Sequence, residues 1–123
     1  MKARIYHNPR CSRSRATLAL LNTRNVEVEI VEYLVHPPSK RTLAALLEKL
    51  GLKARDLVRT NEPEFRASGL TLAATDGELL DLLVSHPKLI ERPIVEVGAK
   101  ARVGRPPERV LEILEDSSPP AAS

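Results

Sequence analysis

Residues 3–34 read as strand, helix and strand in immediate succession, and that order restricts the fold more than any other feature of the chain. Ala3 to His7 is a short apolar strand segment, and Asn8-Pro9 supplies a turn after it. From Ser12 to about Arg24, the residues Ala16, Leu18, Ala19, Leu20 and Leu21 suit a partly buried helix. Val26 to Leu34 then alternates Val26, Val28 and Ile30 against Glu27 and Glu29, with Val31 and Tyr33 extending a strand expected to be buried on both faces near its end. A βαβ unit closes with a right-handed crossover, so the two strands are expected to run parallel. The loop between His7 and Ser12 then lies at the carboxyl end of the first strand, the edge where open α/β sheets place ligands.

The rest of the chain fits an α/β fold. Ser39 is placed to cap a helix running to about Leu50, where Gly51 stops it. Thr75-Asp76-Gly77-Glu78 has the spacing of a capping box, and Leu79, Leu80, Leu82, Leu83 and Val84 follow until His86-Pro87 ends the helix. No strong strand signal returns until Pro93-Ile94-Val95-Glu96-Val97. With Lys100 to Val103 this segment flanks Gly98-Ala99, a pair suited to a tight hairpin with Gly at its first central position. Pro106-Pro107 starts a last helix whose apolar face is Val110, Leu111, Ile113 and Leu114.

Composition removes several classes of function. The 123 residues suffice for one domain, and a single Phe with two Tyr and no Trp leaves an aliphatic core. Nineteen basic and 16 acidic residues are interspersed, for a net charge of +3. The aromatics Tyr6, Tyr33 and Phe65 are scattered, so the chain lacks the basic stripe with stacking rings that nucleic-acid binding uses. No stretch approaches the ~20 apolar residues of a membrane span, and no apolar leader is seen, which makes the cytoplasm the expected compartment. His7, His36 and His86 share no metal-ligand spacing with Cys11, and no metal site is expected.

Cys11 is the only cysteine, so no internal disulfide can form. It stands in His7-Asn8-Pro9-Arg10-Cys11-Ser12-Arg13-Ser14-Arg15, where positive neighbours and a helix N-terminus favour a thiolate and hold an anion. Cys11 is therefore read as a nucleophile rather than as a small apolar packing residue. His7 either lowers the thiol pKa or satisfies a backbone group. Ser14 either donates to the thiolate or caps the helix. The Cys-to-Arg phosphate loop of small phosphatases is related in chemistry, but it has five intervening residues where Ser12, Arg13 and Ser14 alone separate Cys11 from Arg15. A thiol that gives up electrons without a second cysteine in its own chain must be restored by a thiol from outside.

The chain resembles the glutaredoxin-coupled arsenate reductase family from about Arg4 to Asp116. The resemblance rests on the Cys11 segment, Tyr33-Leu34 before Pro37-Pro38-Ser39, Val58-Arg59-Thr60-Asn61, Arg92-Pro93-Ile94-Val95 and Gly104-Arg105-Pro106-Pro107. It implies a thioredoxin-like mixed sheet in a single domain, residues 1–116, with a helical insertion at about 37–87, and the biased composition of 117–123 reads as a flexible tail. It also implies Cys11 as catalytic nucleophile, His7 as the thiolate-stabilising histidine, Ser14 near the thiol, and Arg59, Arg92 and Arg105 as oxyanion-binding residues. Pro93 is expected to follow a cis peptide bond. The implied reaction reduces arsenate to arsenite through a thiol-arsenate adduct, with glutathione as co-substrate, glutaredoxin as partner and no bound cofactor. Two other readings keep the fold: an Spx-like redox-responsive regulator, from which Ser14 departs where a second cysteine would stand, and a glutathione-dependent thiol transferase, which leaves the Arg59, Arg92 and Arg105 set unexplained.

Overall fold

The structure, a computed structural model, describes residues 1–117. The described residues fold into two compact units, one formed by Met1–Glu32 with residues 92–117, the other by Tyr33–Glu91.

The first unit holds a four-stranded mixed sheet in the order β2-β1-β3-β4. β1 spans Lys2–Tyr6 and pairs in parallel with β2, Glu27–Val31, across helix α1, Ser12–Asn22. The right-handed βαβ reading thus holds in its strand direction. β3, Ile94–Val97, runs antiparallel to both β1 and β4, Lys100–Val103. The hairpin between β3 and β4 turns on Gly98, whose φ of 58° is the positive value that the first central residue of a type II′ turn requires. After β4 a short 3-10 turn, Pro107–Val110, leads into a C-terminal helix, Leu111–Ser117. Ser117 thus closes this helix, and the rest of the tail expected at 117–123 lies outside the described residues.

One core ties these elements together: Ala3 and Ile5 from β1, Leu21 from α1, Val95 and Val97 from β3, and Val110, Ile113 and Leu114 from the C-terminal segment. Ile5, Leu21, Val95 and Ile113 are wholly buried, each worth about 1.5–3 kcal/mol relative to exposure. On the opposite sheet face Arg4 reaches Glu29 at 3.1 Å on one neighbouring strand and Glu96 at 3.2 Å on the other.

Two expectations need correction. The second strand is shorter than Val26–Leu34 and is not buried on both faces near its end: it lies at the sheet edge, and Ile30 is 49% exposed. Edge placement leaves one side of a strand uncovered whatever its apolar content. Helix α1 turns inward through Ser14, Thr17 and Leu21 rather than through its alanines. Thr17 escapes the cost of a buried hydroxyl by donating to the Arg13 carbonyl at 2.9 Å.

The second unit is helical, as the sequence indicates. α2, Lys40–Leu50, begins at Ser39, whose side chain accepts the Thr42 amide, and ends at Gly51 with φ 70°. α3 is the short Pro63–Ser68. α4, Asp76–Ser85, opens with the reciprocal Thr75–Glu78 capping box. α2 and α4 pack together, burying Leu43, Leu46 and Leu47 on one and Leu79, Leu80, Leu82 and Leu83 on the other. The C-terminal helix of the first unit, Leu111–Ser117, is α5. No helix among the described residues is long and apolar enough to cross a membrane.

Candidate functional site

Cys11 is the N-cap residue of α1, with extended backbone at φ −95° and ψ 122°. Its amide is held by the Asn8 carbonyl at 3.0 Å, and its carbonyl accepts the Arg15 amide at 3.0 Å. No side chain caps the helix here, so its first amides are left for the sulfur. The thiol pKa is lowered. Burial is the largest single influence and pushes it up, but the Ser14 amide, the Arg92 guanidinium and the Arg13 amide together outweigh it by hydrogen bonding to the sulfur.

Arg92 comes from the start of the β3 segment, and its guanidinium is a cationic side chain that lowers the thiol pKa. It precedes a cis Arg92–Pro93 bond, as the resemblance implies. Its Nε is buried without a hydrogen-bond partner. A buried donor left unpaired costs about 1–3 kcal/mol, a cost that an anionic oxygen bound beside the sulfur would remove. The site therefore combines a thiolate-favouring sulfur with an unsatisfied cationic donor next to it.

His7 and Ser14 form the floor of the loop. Ser14, wholly buried, places its Oγ 2.6 Å from His7 Nδ1 and 3.0 Å from the Asn8 amide nitrogen. The Asn8 N–H donates to this oxygen, while the roles of Ser14 Oγ and His7 Nδ1 in their own bond depend on the tautomer of the ring. The His7 pKa is lowered, first by burial and further by Arg15, against an opposing pull from Glu32. His7 lies within hydrogen-bond reach of the Ser14 hydroxyl. Its link to Cys11 runs through Ser14, whose hydroxyl is engaged below while its backbone N–H faces the sulfur.

Asn8 is legible in the sequence only as a turn residue, yet three of its polar groups brace the loop. Its side-chain oxygen accepts the Arg10 amide at 3.0 Å in an Asx turn, its carbonyl holds Cys11, and its amide holds Ser14. Gly104 was likewise read only as part of a motif. Its amide donates to the Pro93 carbonyl at 2.8 Å, and a Cβ there would lie 2.7 Å from Thr17 Oγ1 and 2.9 Å from Pro93 Cγ. That close approach fixes the segment leading to Arg105 against the proline that follows Arg92.

The remaining arginines differ in their surroundings. Arg105 is exposed, between Gly104 and a second cis bond, Arg105–Pro106. Arg59 lies in the second unit, where its guanidinium faces Glu62 at 3.4 Å and Glu91 at 3.7 Å, and its amide donates to Leu89. Arg15 folds over the loop and donates to the Pro9 carbonyl at 2.9 Å. The structure thus gathers Cys11, His7, Ser14 and Arg92. Among the described residues, no three His, Cys, Asp or Glu side chains come together as metal ligands.

A parallel βαβ unit continued by an antiparallel hairpin, with a cysteine at the first helix N-terminus and a cis-proline before the hairpin, defines a thioredoxin-like fold. The chain belongs to the ArsC family, whose model matches residues 6–113. It is 49% identical over 115 residues to the uncharacterized protein YfgD of Escherichia coli K12, an alignment covering 92% of this chain and 97% of that one. It is 42% identical to an arsenate reductase of Rhizobium meliloti, over 95% of this chain and 84% of the relative. Among solved structures, an arsenate reductase from Vibrio cholerae superposes with a TM-score of 0.88 at 44% identity, covering 92% of this chain and 98% of that one.

Proposed function

We propose that this protein reduces arsenate to arsenite, using the Cys11 thiolate as nucleophile and glutathione with glutaredoxin to restore it. The observation that carries this reading is the pairing of a pKa-lowered Cys11 with the unsatisfied, buried Arg92 Nε. Family membership supports arsenate as the oxyanion.

Cys11 sulfur attacks arsenic, a sulfur–arsenic bond forms, and one arsenate oxygen leaves as water after protonation. Arg92 and the amides of Arg13 and Ser14 meet the negative charge of both thiolate and oxyanion, which lets the two anions share a site. His7 and Ser14 hold the amide geometry from beneath. Arg105 and Arg59 are assigned further oxyanion contacts on the strength of the resemblance. Glutathione thiolate then attacks the Cys11 sulfur. The sulfur–arsenic bond breaks with its electron pair going to arsenic, which departs as arsenite, and the two sulfurs are left oxidised as a mixed disulfide. A glutaredoxin thiolate attacks the glutathione sulfur of that disulfide and frees Cys11. This cycle needs no bound cofactor or metal and suits the reducing conditions of the cytoplasm.

The test is arsenate-dependent NADPH oxidation in the presence of glutathione, glutaredoxin and glutathione reductase. Turnover is expected in the wild type and absent in Cys11→Ser, while Arg59→Ala raises the KM for arsenate. Turnover retained by Cys11→Ser would eliminate the mechanism, and none in the wild type would eliminate the arsenate assignment.

A further inference from the structure

Two arginines beside the thiol have no task in the cycle as derived so far. Arg10 directly precedes Cys11, and Arg13 lies two residues after it in the first turn of α1. Both are exposed. Among the described residues neither guanidinium has an ion-pair or hydrogen-bond partner, in contrast to Arg15, which is folded onto the Pro9 carbonyl, and to Arg4, Arg59, Arg102 and Arg109, which are all paired with glutamates. The amide of Arg13 serves the sulfur and the amide of Arg10 serves Asn8, but their side chains are left to solvent.

Guanidinium groups of this kind recognise carboxylates in a planar, bidentate manner and keep their charge at every relevant pH. Flanking a part-exposed thiol in the sequence, at positions 10 and 13 around Cys11, they favour a reaction partner that carries a thiol between two carboxylates. Glutathione has that layout: its cysteine thiol is central, with a γ-glutamyl carboxylate at one end and a glycine carboxylate at the other. The lone cysteine makes such an external thiol a requirement of the cycle.

We propose that Arg10 and Arg13 form the docking site for the two carboxylates of glutathione, bringing its sulfur in line with Cys11. The inference rests on the proposed function for the need of an external thiol, though not on arsenate being the oxyanion. In the exchange that tests it, Cys11 thiolate attacks one sulfur of glutathione disulfide. A Cys11–glutathione disulfide forms, the original disulfide bond breaks, and one glutathione thiolate leaves with the electron pair.

The rate of this exchange is measured by mass spectrometry of the intact protein, with 2-hydroxyethyl disulfide as an uncharged comparator. The wild type is expected to favour glutathione disulfide, a preference that declines as salt screens the charges. In Arg10→Ala/Arg13→Ala the ratio of the two rates is expected to fall by about fivefold, the effect of two exposed charge contacts of roughly 0.5 kcal/mol each. Arg10→Lys/Arg13→Lys, which keeps the charges but not the bidentate fork, is expected to lose less of the ratio than the alanine variant. An unchanged ratio in the alanine variant, or an equal fall with both disulfides, would overturn the proposal, since the arginines would then act on the thiol and not on the ligand. Arsenate takes no part in this exchange. A wild type that shows the preference but no arsenate turnover would therefore refute the arsenate reading and leave the docking site standing.

Discussion

Replacing Ser14 by Ala removes one oxygen from beneath the reactive loop, and the structure gives the cost. Ser14 is wholly buried and His7 is 6% exposed, so water cannot substitute for the missing hydroxyl. His7 Nδ1 loses its only hydrogen bond in that direction, at 2.6 Å, and the part-buried Asn8 amide loses one at 3.0 Å. Leaving a buried polar group unpaired costs about 1–3 kcal/mol, and with Asn8 at the lower end the sum is roughly 2–4 kcal/mol. Against a domain stability of about 5–15 kcal/mol this is a large fraction. In urea denaturation followed by far-UV circular dichroism, with a slope of about 1–3 kcal/mol/M, the midpoint should fall by roughly 1–2 M without a change in slope. Ser12→Ala, at an exposed neighbouring position, serves as the control and should stay within ~0.5 kcal/mol. If Ser14→Ala matched that control, the hydrogen-bonded floor assigned to His7, Ser14 and Asn8 would be wrong.

Three other expectations follow from the same region. Arg92→Ala should raise the pH midpoint of iodoacetamide alkylation at Cys11, because the neighbouring positive charge is lost, and weaken arsenate binding by about 1.5–3 kcal/mol; an unmoved alkylation profile would remove Arg92 from the thiol. His7 titrates lower in the folded protein than its unfolded value of about 6.5, so its contribution to stability is complete above that pH and declines as pH falls from there through the folded value. Urea midpoints measured between pH 7.5 and 5 should show this loss in the wild type and a smaller one in His7→Gln, and parallel profiles would contradict it. Gly104→Ala should cost about 1–3 kcal/mol through overpacking. Combining it with Thr17→Ala, which deletes the nearest clashing atom, should recover part of the thermal midpoint, and a double variant no more stable than Gly104→Ala would place the strain elsewhere.

How far each feature could be read from the sequence depended on how local its cause is. Ser39, Gly51 and the Thr75–Glu78 box act within four residues, and each sits where its side chain predicts. The β3–β4 hairpin announced itself through Gly98-Ala99. Cys11 at the start of α1 was equally legible, since a strand, a turn and a helix surround it in order. Features formed across long separations were not. Arg92 reaches the thiol over some 80 residues of chain, and only the family resemblance singled it out. The inward face of α1 was misread because Ser14 and Thr17 are polar; hydrophobic periodicity cannot find buried hydroxyls whose partners come from the preceding turn or loop. The exposure of β2 likewise depends on its place at the end of the sheet order, which its own alternation does not record.

That edge position has a consequence for the protein in concentrated solution. β2 is paired along one side only, and its other side offers a row of backbone donors and acceptors next to the half-exposed Ile30. Such a border is a template on which another extended chain can grow. Glu27 and Glu29 alternate along it, held upright by Lys2 at 3.7 Å and Arg4 at 3.1 Å. Charged groups spaced in this way act as gatekeepers, because any strand added in register must bury or crowd them. The two glutamates thus guard the chain against fibrous self-assembly, and the basic residues that pair with them keep the guard in place without cancelling it.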